Sequence, residues 1–361
     1  MILQGYFSKL GSYTRAAGSV GLLSAVMVLP GACSSDTTEP LPTETAGVGV
    51  VLASTDVSVT IFDVEDPEQA RTVGLGADGS PVTMAVRGAL AAVPLGFVPA
   101  LAVVDLKEAM LLRTVALTSG SGATGVAFLN DSIVLVANPS LNSVTPINVL
   151  RGSAGDDIPV GRYPQAVVAA DGRAYVLNAE LDAFVPDGPA TISVVDGASL
   201  TVTSTIILSG ENAAAGVVAL DGLLYVLHSG SFGAGNGSLS VVDPATLTEI
   251  EHHEGFGDFP GALAAGPSGD LFVGAFSYGV VVWSPSTDAF VRNPGDAIMP
   301  GGVPSASGLG FDEAGRLYTL TPDCEDPSTA NRLDATYAVE LTIAVGICPF
   351  AISFGQVGEG S

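Results

Sequence analysis

The chain has 361 residues, of which 47% are apolar and only 14% charged, and 37 acids against 12 Lys and Arg give a formal net charge of −25. Such a surface repels nucleic-acid phosphates and anionic lipid headgroups, which argues against DNA or RNA as a partner and makes solubility the first reading of the acidity. The length admits one large domain or two ordinary ones.

Lys9 and Arg15 precede an apolar run from Ala16 to Leu29. At about 14 residues the run is short for a membrane span and reads as the apolar region of a secretory signal over residues 1–32. Removing it takes away two cations and no acids, so the charge becomes −27. Leu29-Pro30-Gly31-Ala32-Cys33 resembles a bacterial lipobox, although Pro30 stands where a leucine is usual. The resemblance implies a lipidated Cys33, with Ser34 favouring the outer membrane of a Gram-negative cell, and several acyl chains give firm anchoring. The alternative is a plain secretory signal with an incidental cysteine. Residues 33–47, rich in Ser, Thr, Pro and Glu, read as a disordered tether.

From there on the chain repeats itself. Val134-Leu135-Val136-Ala137-Asn138 returns as Tyr175-Val176-Leu177-Asn178 and as Tyr225-Val226-Leu227-His228. Each is followed by a second apolar run, such as Ser193-Val194-Val195-Asp196 or Ser240-Val241-Val242-Asp243. Short alternating runs broken by Gly, Pro and Asp predict strands, and helical periodicity is hard to find. Equivalent positions near Pro81, Ala123, Pro164, Ala214, Pro260, Ser305 and Pro349 are separated by 42, 41, 50, 46, 45 and 44 residues. That period is the length of a four-stranded propeller blade.

Six complete units thus run from Pro81 to Cys348, and the ends account for each other. Phe350-Ala351-Ile352-Ser353-Phe354 matches the first strand of a unit, whereas Val48–Ala53, Val57–Asp63 and Arg71–Leu75 match the other three. The predicted fold is therefore an all-β, seven-bladed β-propeller over residues 48–356, closed by pairing the C-terminal strand with the three N-terminal ones, with a tail at 357–361. Closing the ring removes two exposed sheet edges.

The repeated wording resembles the YVTN-repeat, or YncE-like, β-propellers of bacteria, relatives of the quinoprotein amine dehydrogenase-like scaffolds. The resemblance covers residues 48–355, is strong from 123 to 250 and weakens after 260, where Trp283-Ser284-Pro285 replaces the aspartate turn. It implies the fold well and the function poorly. Asp105, Asp196 and Asp243 each close a third strand and read as turn residues whose carboxylates accept backbone N–H groups. The prolines opening several units set the entry to the innermost strands.

Cys324 and Cys348 leave an even count once Cys33 is set aside, which in an exported protein predicts a disulfide, with two free thiols as the alternative. Because strands alternate in direction, the loops after the second and fourth strands share a face, and both cysteines fall on it. The same face carries the longest connections, Ala179–Ala190, Ser229–Gly237 and Pro322–Tyr337. Elaborated loops on a rigid scaffold are where function concentrates, so this face is the candidate ligand surface, with Asn138, Arg162, Asn178, Glu180, Asp182 and His228 on or near it. The plainer reading is that these are ordinary solvated loop residues.

Catalytic signals are weak. The sequence has neither a nucleophile elbow, nor a P-loop, nor a zincin motif. Glu251-His252-His253-Glu254 invites a metal ion, but adjacent residues on a strand face opposite sides, and no cofactor is predicted beyond a possible divalent cation. The expected function is a monomeric, envelope-anchored, non-catalytic propeller that recognises a protein, glycan or small ligand. The alternative is a propeller-type hydrolase or lactonase, or a quinoprotein-like oxidoreductase scaffold, with acids, Arg or His converging on the central channel.

Overall fold

In the computed structural model, which describes residues 45–76, 78–219 and 221–358, the short apolar runs form seven antiparallel sheets arranged as the blades of a propeller. The expected signal sequence, Cys33 and most of the expected tether lie outside the described residues. The innermost strands are Pro349–Gly358, Ala85–Arg87, Val126–Phe128, Pro164–Ala170, Ala213–Val218, Pro260–Ala265 and Gly308–Phe311, here taken as blades 1 to 7. Each packs against the next, and the last returns to the first, so the ring is closed.

Blade 1 is built from both ends of the chain, with Thr45–Ala53 between Pro349–Gly358 on one side and Ser58–Asp63 on the other. The blade is slightly longer than expected at both ends. Thr45, Ala46 and Gly47 pair with Gly358, Val357 and Gln356, so three residues read as tether and two read as tail are ladder. Two departures occur elsewhere. The fourth strand of blade 3 is split into Ser153–Ala154 and Ile158–Pro159, both paired with Ser143–Asn148. The presumed loop Pro322–Tyr337 contains the third strand of blade 7, Pro327–Leu333. Its polar sequence conceals it. Asn331 donates to Thr321 and Arg332 to Glu340, so polar side chains find partners on both flanking strands.

Burial follows position within the blade. Second and third strands are covered on both faces by neighbouring blades, as in Leu224–His228 and Gly279–Ser284, where every residue is buried. Outer strands have one wet side, and Thr201–Ile207 buries only Ile206. The strand-closing aspartates do what a short carboxylate before a turn should do. Asp105 accepts from the Glu108 N–H, Asp196 from Ala198 and Ser199, and Asp243 from Ala245. These backbone donors hold the Asp196 and Asp243 carboxyls below their ordinary range. In blade 6 the Ser284 hydroxyl instead donates to Asp270, and the turn closes through the Thr287 N–H on the Ser284 carbonyl.

Cys324 and Cys348 form a disulfide across 24 residues, joining the loop after the second strand of blade 7 to the connection into blade 1. Closing a loop of that length restricts the unfolded chain by about 3 kcal/mol. The C324S/C348S double variant is therefore expected to lose roughly 3 kcal/mol of unfolding free energy in a denaturant titration, and reductant should bring the wild type to the same midpoint. A midpoint unmoved by either treatment would show that the bridge contributes nothing.

Candidate functional site

The loops after second strands and those after fourth strands meet on one face and are stitched together there. Gly96 pairs with Ala123, the Ala179 N–H donates to the Tyr163 carbonyl, and the Gly237 N–H donates to the Gly257 carbonyl. This is the face expected to carry the ligand-contacting residues, and the structure divides the six predicted ones into two sets.

Asn138, Asn178 and His228 are fully buried beneath the face. Each ends a second strand and reaches across to hydroxyls on the third. Asn138 donates to Ser143 and Thr145, Asn178 donates to Thr191 and Ser193, and His228 Nε2 shares a 2.7 Å hydrogen bond with Ser240. The outer strand continues the ladder. Asp157 accepts from Thr145, and His252 Nδ1 bonds Ser240 at 3.2 Å. These residues are blade clamps, and their sequence positions at strand ends are what made them look like loop residues. Gly161 and Gly210 roof two of the clamps, since a Cβ there would lie 2.5 Å from Asn178 and from the His228 ring respectively.

Asp182 is on the surface, whereas Arg162 is partly exposed and Glu180 is half-buried, accepting from the Thr191 hydroxyl. Arg162 lies 2.9 Å from Asp187 and 3.6 Å from Glu180, and the hydrogen bond to Asp187 raises its pKa above the ordinary value. Asp182 lies in a small hairpin, Leu181–Asp182 with Val185–Pro186, that lifts the blade 4 loop outward. The tip of that hairpin is Phe184, 77% exposed, edge-on to Tyr163. It is one of a set. Phe97 is 88% exposed and Phe232 83%, and Phe259 and Phe276 are exposed as well. All five belong to loops of this face, in blades 2, 4, 5 and 6 and the connection from 5 to 6. Sequence reasoning missed them because a lone Phe reads as core. The available signal was their placement beside loop residues, as in Gly96-Phe97 and Ser231-Phe232-Gly233.

The central channel encloses about 240 Å³. Its lining is mostly Ala, Val, Gly and Leu, with Thr83, Ser307 and Ser353 as hydroxyls, and no acid, Arg or His among the described residues. General acid–base chemistry has no titratable group there to use. Ser240, His252 and Glu249 lie together, but Ser240 and Glu249 both approach His252 Nδ1, at 3.2 and 3.6 Å, so the ring cannot relay a proton between them. Ser240 is also fully buried inside the blade, where no substrate carbonyl can approach it.

The two adjacent histidines point to opposite sides, as expected. His252 turns to Ser240, whereas His253 lies between Glu251 and Asp288, each 3.2 Å from a different ring nitrogen, with Trp283 packed on the ring at 4.8 Å. Glu251, His253 and Asp288 are the group of metal-ligating side chains that converges among the described residues. With a carboxylate at each nitrogen the ring ties blade 5 to blade 6. A mononuclear ion would have to displace one of those pairings.

No protein-family profile matches the chain, and no curated protein matches it in sequence. Solved structures do match in shape. The chain is similar to the structure described as Kuenenia stuttgartiensis hydrazine synthase, with TM-score 0.61 and 15% identity over 75% of this chain and 88% of that one. It is also similar to a functionally unknown protein from Desulfotomaculum acetoxidans, with TM-score 0.65 and 14% identity over 85% and 98%. At such identities the likeness establishes the propeller fold alone.

Proposed function

We propose that the protein is an exported, lipid-anchored β-propeller of the YVTN-repeat kind that acts by binding, with the loop face as its recognition surface. The observation that carries this reading is that all five phenylalanines exposed among the described residues lie on that face. Large exposed apolar groups gathered on one side mark interaction surfaces, whereas scattered ones need no explanation. The lipobox-like segment ending in Cys33 supports the anchoring, and the mostly small, apolar lining of the channel favours binding over the hydrolase alternative.

A photo-crosslinking side chain in place of Phe184 or Phe232 is expected to give adducts in the cell envelope, whereas one at Glu108, in a turn on the opposite face, should not. Equal labelling from both faces would remove the assignment. Metabolic labelling with palmitate tests the anchor. The wild type should take up label and partition into detergent, and Cys33→Ser should abolish both. A wild type that stays unlabelled and aqueous would exclude lipidation while leaving the face untouched.

A further inference from the structure

Basic residues are distributed unevenly over the two faces. Among the described residues the loops of the phenylalanine-bearing face contain one cation, Arg162, already paired with Asp187 and Glu180, and Arg292, which ends the fourth strand of blade 6 before a loop of this face, is engaged by the Asp296 carbonyl and the Tyr337 ring. Lys107, Arg151 and Arg316 lie in turns at the opposite end of the blades, and Arg87, Arg173 and Arg71 lie at strand ends there. The phenylalanine-bearing face instead displays carboxylates, including exposed Asp78, Asp182, Asp296, Asp323, Glu325 and Asp326. Aromatic and acid are interleaved within single loops. Phe184 stands between Asp182 and Asp187, and Phe259 follows Asp258.

An exposed aromatic ring beside a carboxylate is the pair of groups that receives a guanidinium or ammonium, the ring by its π face and the acid by charge. We propose that this face docks a basic polypeptide segment in which Arg or Lys alternates with apolar side chains; the proposal rests on the reading of the loop face as the binding surface. Charge complementarity chooses among occupants. A second copy would bring two cation-poor, acidic surfaces together, with the charges opposed rather than complementary. An anionic bilayer is repelled for the same reason, so the phenylalanines are not a membrane-insertion device. A glycan-stacking platform would need ring faces laid open side by side, whereas Phe232 and Phe259 meet edge to face at 5.6 Å, as do Tyr163 and Phe184 at 5.9 Å.

The test uses the full chain and named probes: a synthetic peptide alternating Arg and Leu, the same peptide with Glu for Arg, a panel of neutral oligosaccharides, and vesicles of phosphatidylglycerol. The Arg–Leu peptide should bind and the other three should not. Phe184→Ser combined with Phe232→Ser should weaken peptide binding at least about tenfold, as expected for removal of central anchors. Asp78→Asn, Asp182→Asn and Glu325→Gln together should weaken it by about tenfold and flatten its salt dependence. None of these carboxylates has a hydrogen-bond partner among the described residues, and both phenylalanines protrude, so the variants keep the fold, which an unchanged thermal melt checks. Glu108→Gln on the opposite face should leave binding as it was. Peptide binding that survives both sets of face variants would overturn the surface reading itself. Phenylalanine-dependent binding of oligosaccharide or vesicles without peptide binding would overturn the basic partner while keeping the surface.

Discussion

A chain that stops after Cys348 is expected to lose its folded state altogether. Pro349–Gly358 is the innermost strand of blade 1 and pairs with Thr45–Ala53 along the whole length of that strand, from Thr45↔Gly358 to Ala53↔Pro349. It also packs against the inner strands of blades 7 and 2, so three blades lose a wall at once. Phe354 leaves the Tyr318 ring, 4.9 Å away, and the Ser307 hydroxyl loses the Pro349 carbonyl it donates to. The apolar strand Thr45–Ala53 is then an open edge, a template for pairing with other chains. Domains carry only about 5–15 kcal/mol of net stability, and losing one whole inner strand removes more burial than that margin. The truncated protein should elute as aggregate and show no cooperative melt. A circular permutant, with Gly358 joined to Thr45 by a short turn and opened between Cys348 and Pro349, should remain a cooperative monomer, because Gly358 and Thr45 are already ladder partners. A truncated chain that melts as a monomer near the wild-type temperature would show that the ring does not need its clasp.

The repeat by itself makes this clasp legible. An interval near 42 to 50 residues recurs only if each unit is one sheet, and an orphan strand at one end with three at the other permits one closure. What the repeat could not show was where the pattern is carried by polar residues. Pro327–Leu333 forms a strand because Asn331 and Arg332 find partners on its neighbours, a condition that composition does not reveal. The split outer strand of blade 3 likewise depends on a bulge, with Gly155 to Asp157 opposite only Thr145 and Pro146 while the Gly155 N–H still donates to the Pro146 carbonyl.

The candidate site was legible as a face but less so as residues. Asn138, Asn178 and His228 end their strands where a loop begins, and a polar residue at such a point reads as solvated. Their partners sit beyond connections of different lengths, so Asn138 bonds Thr145 seven residues on, whereas Asn178 bonds Ser193 fifteen residues on. No fixed spacing marks the clamp. Arg162 and Asp182, by contrast, are readable as surface charges, because their glycine- and proline-rich loops have little apolar cover to offer them. The phenylalanines are the converse case. Their hydrophobicity suggested burial, and only the shape of the loops leaves them outside.

His228 has a consequence for acid stability that its asparagine counterparts do not share. Burial, and secondarily the neighbouring His252, push its pKa down to about 3. In the unfolded chain the imidazole titrates near its ordinary value of about 6.5. The unfolded state therefore takes up a proton that the folded state refuses between those two values, and stability present above pH 6.5 falls as the pH drops toward 3. The slope is about 1.36 kcal/mol per pH unit, or roughly 4 to 5 kcal/mol over the whole window. His228→Asn installs the residue that blades 3 and 4 use at the same position, able to donate to Ser240 as Asn178 donates to Ser193. Gly210 is shaped around the larger ring, so the variant should carry a void worth about 1 kcal/mol at any pH. The two stability curves should therefore cross. Above pH 7 the wild type is the more stable by about 1 kcal/mol, and near pH 4.5 the variant leads by roughly 1 to 2 kcal/mol. Asp196, Asp243 and Glu249 have depressed pKa values in both proteins, and the stability they contribute is lost only at lower pH, so it does not confound the comparison. Urea titrations at half-unit pH steps read the difference directly. Parallel curves from pH 7 to 4.5 would mean that the buried imidazole accepts its proton in place and that the clamp in blade 5 is not acid-sensitive.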